Sequence, residues 1–392
     1  MLDVIKSVVR KNKKQFLIVV GVLFGIILAI AGNHIAHANG LTGEELTGDY
    51  LFNKYPIENY MLDSYVDTSG NWMPWNWGDA VDDGIFSVLT FLIGSLYVSI
   101  FRFFSVIGYF VQMIYSTDLV NTLADMVVSY VQGVSGFNGE FTENGLFTEF
   151  LVTIVIIAGI YYGFKVLKKE SGEAINGVMV FGLLIAVSLG FFLKADYFIN
   201  GANNIAMSVQ TAVVGAGTNA LGMAGDPGTA IRESFFDVTV YQPYLLLQYD
   251  DNTVSQEDAD KILSLESGSE DREKLVKEQV EAGNQMMNGW YGLNLRMSNM
   301  LPLVLSGAVL AIVILVMVCI NIYHQLAFLL YVCFSPFVLI TSLIPGRSSS
   351  AVKLAGKIFY ELCMRVALAM LLSIMCGFST AVFSVTGAEG YI

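Results

Sequence analysis

Residues able to do chemistry are few in this chain and badly spaced for it. After the first forty residues His324 is the only histidine, and Cys319, Cys333, Cys363 and Cys376 all fall in apolar runs without a Cys-x-x-Cys spacing. Neither a zinc centre nor a disulfide framework is indicated. There is no glycine-rich Walker A loop and no His-Glu-x-x-His. A Ser-His dyad would depend on His324, and Asp196 stands alone at a helix end without the second carboxylate that a proton relay or aspartyl protease needs. The residue types argue against an enzyme and call for no metal or cofactor.

What remains are polar or small side chains inside apolar surroundings. Arg102 interrupts the run Gly84 to Ser116, where a guanidinium at the centre of a straight span costs roughly 2.5–3.5 kcal/mol. Three readings avoid that cost: a shorter span ending at Arg102, a re-entrant pair of half-helices, or an Arg102 facing protein or water. Glu361 and Arg365 are spaced i,i+4, so they can pair on one helix face near the headgroups. Gly159 and Gly163 form a GxxxG pair that permits close helix packing. Trp72, Trp75 and Trp77 precede an apolar run and fit an aromatic belt at a membrane interface, with a sugar or peptide platform as the alternative. Pro336 is able to break a helix.

The elements that carry these residues are membrane helices. Of 392 residues 55% are hydrophobic and only 14% charged, too apolar for a soluble globular chain. From Met300 to Ile344 no Lys, Arg, Asp or Glu occurs, long enough for two ~20-residue crossings. We therefore expect a transmembrane hairpin there, with a tight polar elbow at Asn321 to Gln325 that holds His324 in a structural role. Residues 1–38 have the basic, apolar and Ala36-His37-Ala38 parts of a signal peptide, an uncleaved anchor being the alternative. The rest divides into an extracytoplasmic aromatic-rich segment (39–83), a membrane or re-entrant helix plus an amphipathic helix at Leu119 to Val134 (84–145), a transmembrane hairpin (146–198), a large polar loop (199–297), a three-helix transmembrane block (298–385) and an end (386–392). The expected class is all-α: a polytopic membrane protein with a signal peptide and a large, partly helical extracytoplasmic insertion, in which Ser255 and Ser269 are candidate N-caps.

Charge is segregated. Residues 33–83 carry nine acidic side chains against Lys54, and residues 199–297 carry fourteen against six basic ones, so these regions repel nucleic acid. The basic turn at Lys168 and Lys169 is expected inside and the acidic loop outside. That arrangement leaves Arg347 and Lys353 outside, against the same rule.

In order along the chain, NHIAHA, KYPIENYMLDSYVD with WMPWNW, QPYLLLQY and EDREKLVKE resemble the large polytopic membrane protein of Gram-positive conjugative transposons and plasmids. That family is the counterpart of the polytopic inner-membrane channel subunit of type IV secretion systems. The resemblance covers nearly the whole chain. It implies a multi-pass channel or scaffold subunit in the cytoplasmic membrane, forming homo-oligomers and neighbouring a transfer ATPase, a small bitopic channel subunit and a cell-wall hydrolase. It supplies no catalytic residues. Members of the family continue past the last helix with a further span and a basic tail, which are not in this sequence. A secondary transporter or ion channel is the alternative reading, and it would be expected to show intramembrane ionisable groups.

Overall fold

The computed structural model describes residues 50–66, 77–116, 119–142, 144–219, 227–250 and 254–388. The signal-peptide region, Trp72 and Trp75 lie outside these residues. The described chain is all-helical, with no strand among the described residues. Its helices are α1 (Leu51–Lys54), α2 (Trp77–Ser116), α3 (Leu119–Ser135), α4 (Leu146–Leu167), α5 (Ser171–Leu193), α6 (Ala195–Asn219), α7 (Pro227–Phe236), α8 (Gln242–Tyr249), α9 (Gln256–Leu263), α10 (Glu270–Glu281), α11 (Gly289–Cys333), α12 (Ser335–Ser342) and α13 (Ser349–Ala388). Five of them, α2, α4, α5, α11 and α13, contain stretches long and apolar enough to cross a bilayer. The chain is a multi-pass membrane protein.

The expected hairpin at Met300 to Ile344 is corrected: α11 runs without a turn through Asn321, His324 and Gln325 to Cys333. Its polar residues sit on a helix whose i→i−4 ladder already satisfies the backbone, so they are no turn signal. The helical run is interrupted at Phe334, between the end of α11 at Cys333 and the start of α12, immediately before Pro336. Pro336 lies at the start of α12, where a missing N–H costs no helical bond.

Two compact units form. The first, here called the motif unit, takes described residues up to Met113 together with Gly217–Cys319 and the chain from Leu372; the second, the bundle, takes Ile114–Ala216 and Ile320–Leu371. In the motif unit the Tyr60 ring is fully buried and meets Phe101, Phe236 and Tyr244 edge-on. Between α7 and α8 the helix widens to a π turn at Asp237–Tyr241. Pro243 explains it: its ring would clash with the Thr239 carbonyl, and a one-residue widening relieves this. Of the two expected N-caps, Ser255 accepts from the Asp258 N–H, whereas Ser269 occupies the cap position without that bond.

In the bundle, α3 buries Val120, Ala124, Val127 and Val131 against α4, α5 and α12. The opposite face leaves Met126 and Tyr130 exposed. Helix α6 starts at Ala195 and its residues through Ala216 belong to this unit, so the polar loop expected over 199–297 opens with a packed helix. Its Asn-rich stripe reads as loop by composition, yet Ile199, Asn203, Ala206 and Gln210 recur at helical spacing and are buried.

Candidate functional site: a clamp of buried arginines

Arg272 of α10 is the largest fully buried side chain in the motif unit, together with Arg296 of α11. Arg272 grips Asp63 bidentately, Nε to Oδ1 at 2.9 Å and Nη2 to Oδ2 at 2.8 Å. Its remaining N–H groups donate to the carbonyls of Asn59 (2.8 Å), Met61 (2.9 Å) and Leu265 (3.0 Å). Burial works against this charge, but the Asp63 carboxylate outweighs it and holds the guanidinium above its usual range. Arg296 donates to the Leu247 carbonyl (2.8 Å), Ser64 Oγ (2.7 Å) and the Asp63 carbonyl (2.5 Å). Gln248 closes the ring, giving Nε2 to Asp63 Oδ2 at 2.9 Å and accepting the Asp63 N–H at 3.1 Å.

Three of the sequence motifs therefore meet at one carboxylate: Asp63 from KYPIENYMLDSYVD, Gln248 from QPYLLLQY and Arg272 from EDREKLVKE. No protein-family model, curated protein or solved structure matches the chain. The clamp must be read by its chemistry alone. The Asp63 carboxylate accepts three donors from Arg272 and Gln248, and no group of three or more His, Cys, Asp or Glu among the described residues can hold a metal. The arrangement fastens the segment around Asp63 to two segments more than 180 residues further along the chain.

Two carboxyls of the motif unit lie on the π-widened helix. Burial pushes Glu233 up to about 7, against the backbone N–H groups of Leu51 and Phe52, and pushes Asp237 up to about 6, against a bond from Gln242. A raised acid pKa means that the folded state holds the extra proton, so stability is present at low pH and lost as pH rises through about 4.5 to 7. We expect the thermal midpoint of the motif unit to fall between pH 5 and pH 7.5, by roughly 2–4 °C per kcal/mol lost. Glu233→Gln will flatten that slope. A midpoint that rises with pH in the wild type, or an unchanged slope in Glu233→Gln, contradicts the assignment.

The structure separates the residues that the sequence singled out. Arg102 lies on one unbroken α2, which rules out re-entrant half-helices. Its guanidinium meets Glu58 at 2.5 Å, both side chains about half exposed, so it faces protein as the third reading held. Glu361 and Arg365 each meet a residue on another helix. Both are buried: Glu361 Oε2 meets His324 Nδ1 at 2.5 Å, and Arg365 donates to Asn203 Oδ1 at 2.6 Å. Asn203 continues to Asn121 at 3.2 Å, while Gln325 and Asn321 bond along α11 and leave Asn321 Nδ2 and Gln325 Oε1 without a partner. A side chain at Gly159 or Gly163 would meet nothing within 4 Å, so among the described residues this GxxxG packs no helix. The close approach of α4 and α5 is made by Gly177, on which the Tyr162 ring lies. Trp77 is the first residue of α2.

Sequence reasoning passed over Asp63, Gln248, Arg272, Arg296 and Asn203. Three of these stand inside motifs already quoted, but no spacing rule links positions so far apart.

Proposed function

We propose that the chain is a channel or scaffold subunit of a conjugative type IV secretion machine in the cytoplasmic membrane of a Gram-positive bacterium. It would work as a homo-oligomer beside a transfer ATPase, a bitopic channel subunit and a cell-wall hydrolase. One observation carries the reading: three of the motifs behind the resemblance converge on Asp63 in a buried clamp, as suits a subunit whose task is to hold a shape. Donor cells lacking the chain should lose DNA transfer and regain it with the wild-type chain. Undiminished transfer in its absence would sink the proposal.

The topology follows from α11 being a single crossing. With the Lys168 turn inside, α5 leads out, the acidic insertion lies outside, α11 returns, and the loop holding Arg347 is inside with Lys353. The conflict created by an elbow at His324 disappears. Within the bundle, Lys165 and Glu173 line the same cleft as Ser342 to Ser348, as a shared membrane face requires. In this reading α2 does not complete a crossing, because its second half carries Arg102 on Glu58 and Gln112 on Arg232 and Thr229. In a chain without its native cysteines, we expect an impermeant thiol reagent on intact cells to label Ser264→Cys but not Ser171→Cys or Ser349→Cys. Labelling of Ser171→Cys with Ser264→Cys protected overturns the arrangement.

A transporter or ion channel is the second reading, favoured by the ionisable pair His324–Glu361 inside two apolar helices. Purified protein in vesicles, without partners, would then carry a solute- or ion-dependent flux that Glu361→Gln abolishes.

A further inference from the structure

The bundle contains a cleft of about 400 Å³ between the ends of α4 and α5 and the loop that follows α12. Its mouth is polar, with Lys165, Glu173 and Asn176, and its floor is apolar, with Phe181, Leu184 and Leu343. Lys165 Nζ bonds Glu173 at 2.5 Å and lies 3.7 Å from Glu170, which leaves this three-donor group further capacity. Lys168 and Lys169 on the turn joining α4 to α5, and Arg347 between the lining residues Gly346 and Ser348, are exposed, so the segments that form the mouth carry more cations than the carboxylates Glu170 and Glu173. Both helices are candidate spans, ending at Leu167 and starting at Ser171, so the mouth stands where a bilayer has its headgroups. From Asn176 to Leu184 the floor descends eight residues of α5, about 12 Å towards the hydrocarbon.

A polar, cationic mouth above an apolar floor at headgroup depth has the shape of one phospholipid. The charge excess calls for a phosphodiester. The carboxylate of Glu173 in the same mouth calls for a hydroxyl donor, which a choline or bare phosphate headgroup lacks. We propose that this cleft is a binding site for an anionic glycerophospholipid with a polyol headgroup, of the phosphatidylglycerol kind. The phosphate takes Lys165 and the flanking cations, the glycerol hydroxyls donate to Glu173, and an acyl chain runs down α5 past Phe181 and Leu184. This holds for any function of a membrane-spanning chain and is independent of a role in conjugation.

The test uses the full chain, delipidated in detergent and titrated with short-chain phosphatidylglycerol, phosphatidic acid, phosphatidylcholine or glycerol phosphate while bound lipid is counted by native mass spectrometry. We expect one phosphatidylglycerol to bind about tenfold more tightly than phosphatidylcholine, a difference of ~1.4 kcal/mol. Lys165→Gln should remove that preference, and Glu173→Gln should remove the preference for phosphatidylglycerol over phosphatidic acid. Leu184→Trp, which fills the floor, should weaken phosphatidylglycerol and leave the mouth intact, and Lys353→Gln should change nothing. Equal retention of the two lipids, or retention indifferent to Lys165→Gln, identifies ordinary annular lipid and overturns the proposal. Glycerol phosphate binding as tightly as the lipid identifies a free-phosphate site and also overturns it.

Discussion

Asp63→Ala will destabilise the motif unit by about 3–5 kcal/mol, the usual cost of removing one partner from a buried ion pair. The loss is large because Arg272, only 1% exposed, keeps its charge with carbonyls alone for company, and Gln248 Nε2 loses its acceptor. A domain stable by ~5–15 kcal/mol gives up much of its margin. Asp63→Asn retains one acceptor and should recover part of the loss. Thermal or protease-resistance measurements on the detergent-solubilised chain decide it. An Ala variant within ~1 kcal/mol of wild type would mean that the Arg272 carbonyl bonds suffice and that Asp63 is not the centre of the clamp. Under the proposed function, transfer should fall in the same order, Ala below Asn below wild type.

The second large effect is expected at His324 and Glu361. Their side chains meet across α11 and α13 with 8% and 6% exposure, so removing either leaves a buried polar group unpaired, at about 1–3 kcal/mol. Glu361→Leu and His324→Leu should each destabilise the bundle by that amount. The double variant should lose less than the sum, since replacing both partners by apolar groups removes the orphan as well. Additive losses would show that the two side chains do not act as a pair. The same variants separate the two functional readings. A scaffold tolerates the repacked double variant, whereas a conducting relay loses its flux.

Much of the architecture was legible before any coordinates. Five apolar stretches, the basic Lys168 turn, the helix at Leu119 and the N-cap at Ser255 follow from periodicity, charge and local hydrogen bonding, which act within a few residues. The same local rules mislead at Asn321 to Gln325, where polar residues inside a helix read as a turn, and at Glu361 and Arg365, where i,i+4 spacing suggests a pair. Each of those side chains has a partner on another helix or along its own that a local reading had not assigned.

The sequence by itself determined that this protein is helical and crosses a membrane more than once, because composition and local spacing suffice for those conclusions. Only the tertiary structure decided that α11 is unbroken, that Arg102 has Glu58 beside it and that three motifs close on Asp63. The reason is physical: a buried charge must be paired somewhere, but which of many distant carboxylates and carbonyls does so depends on how the helices pack.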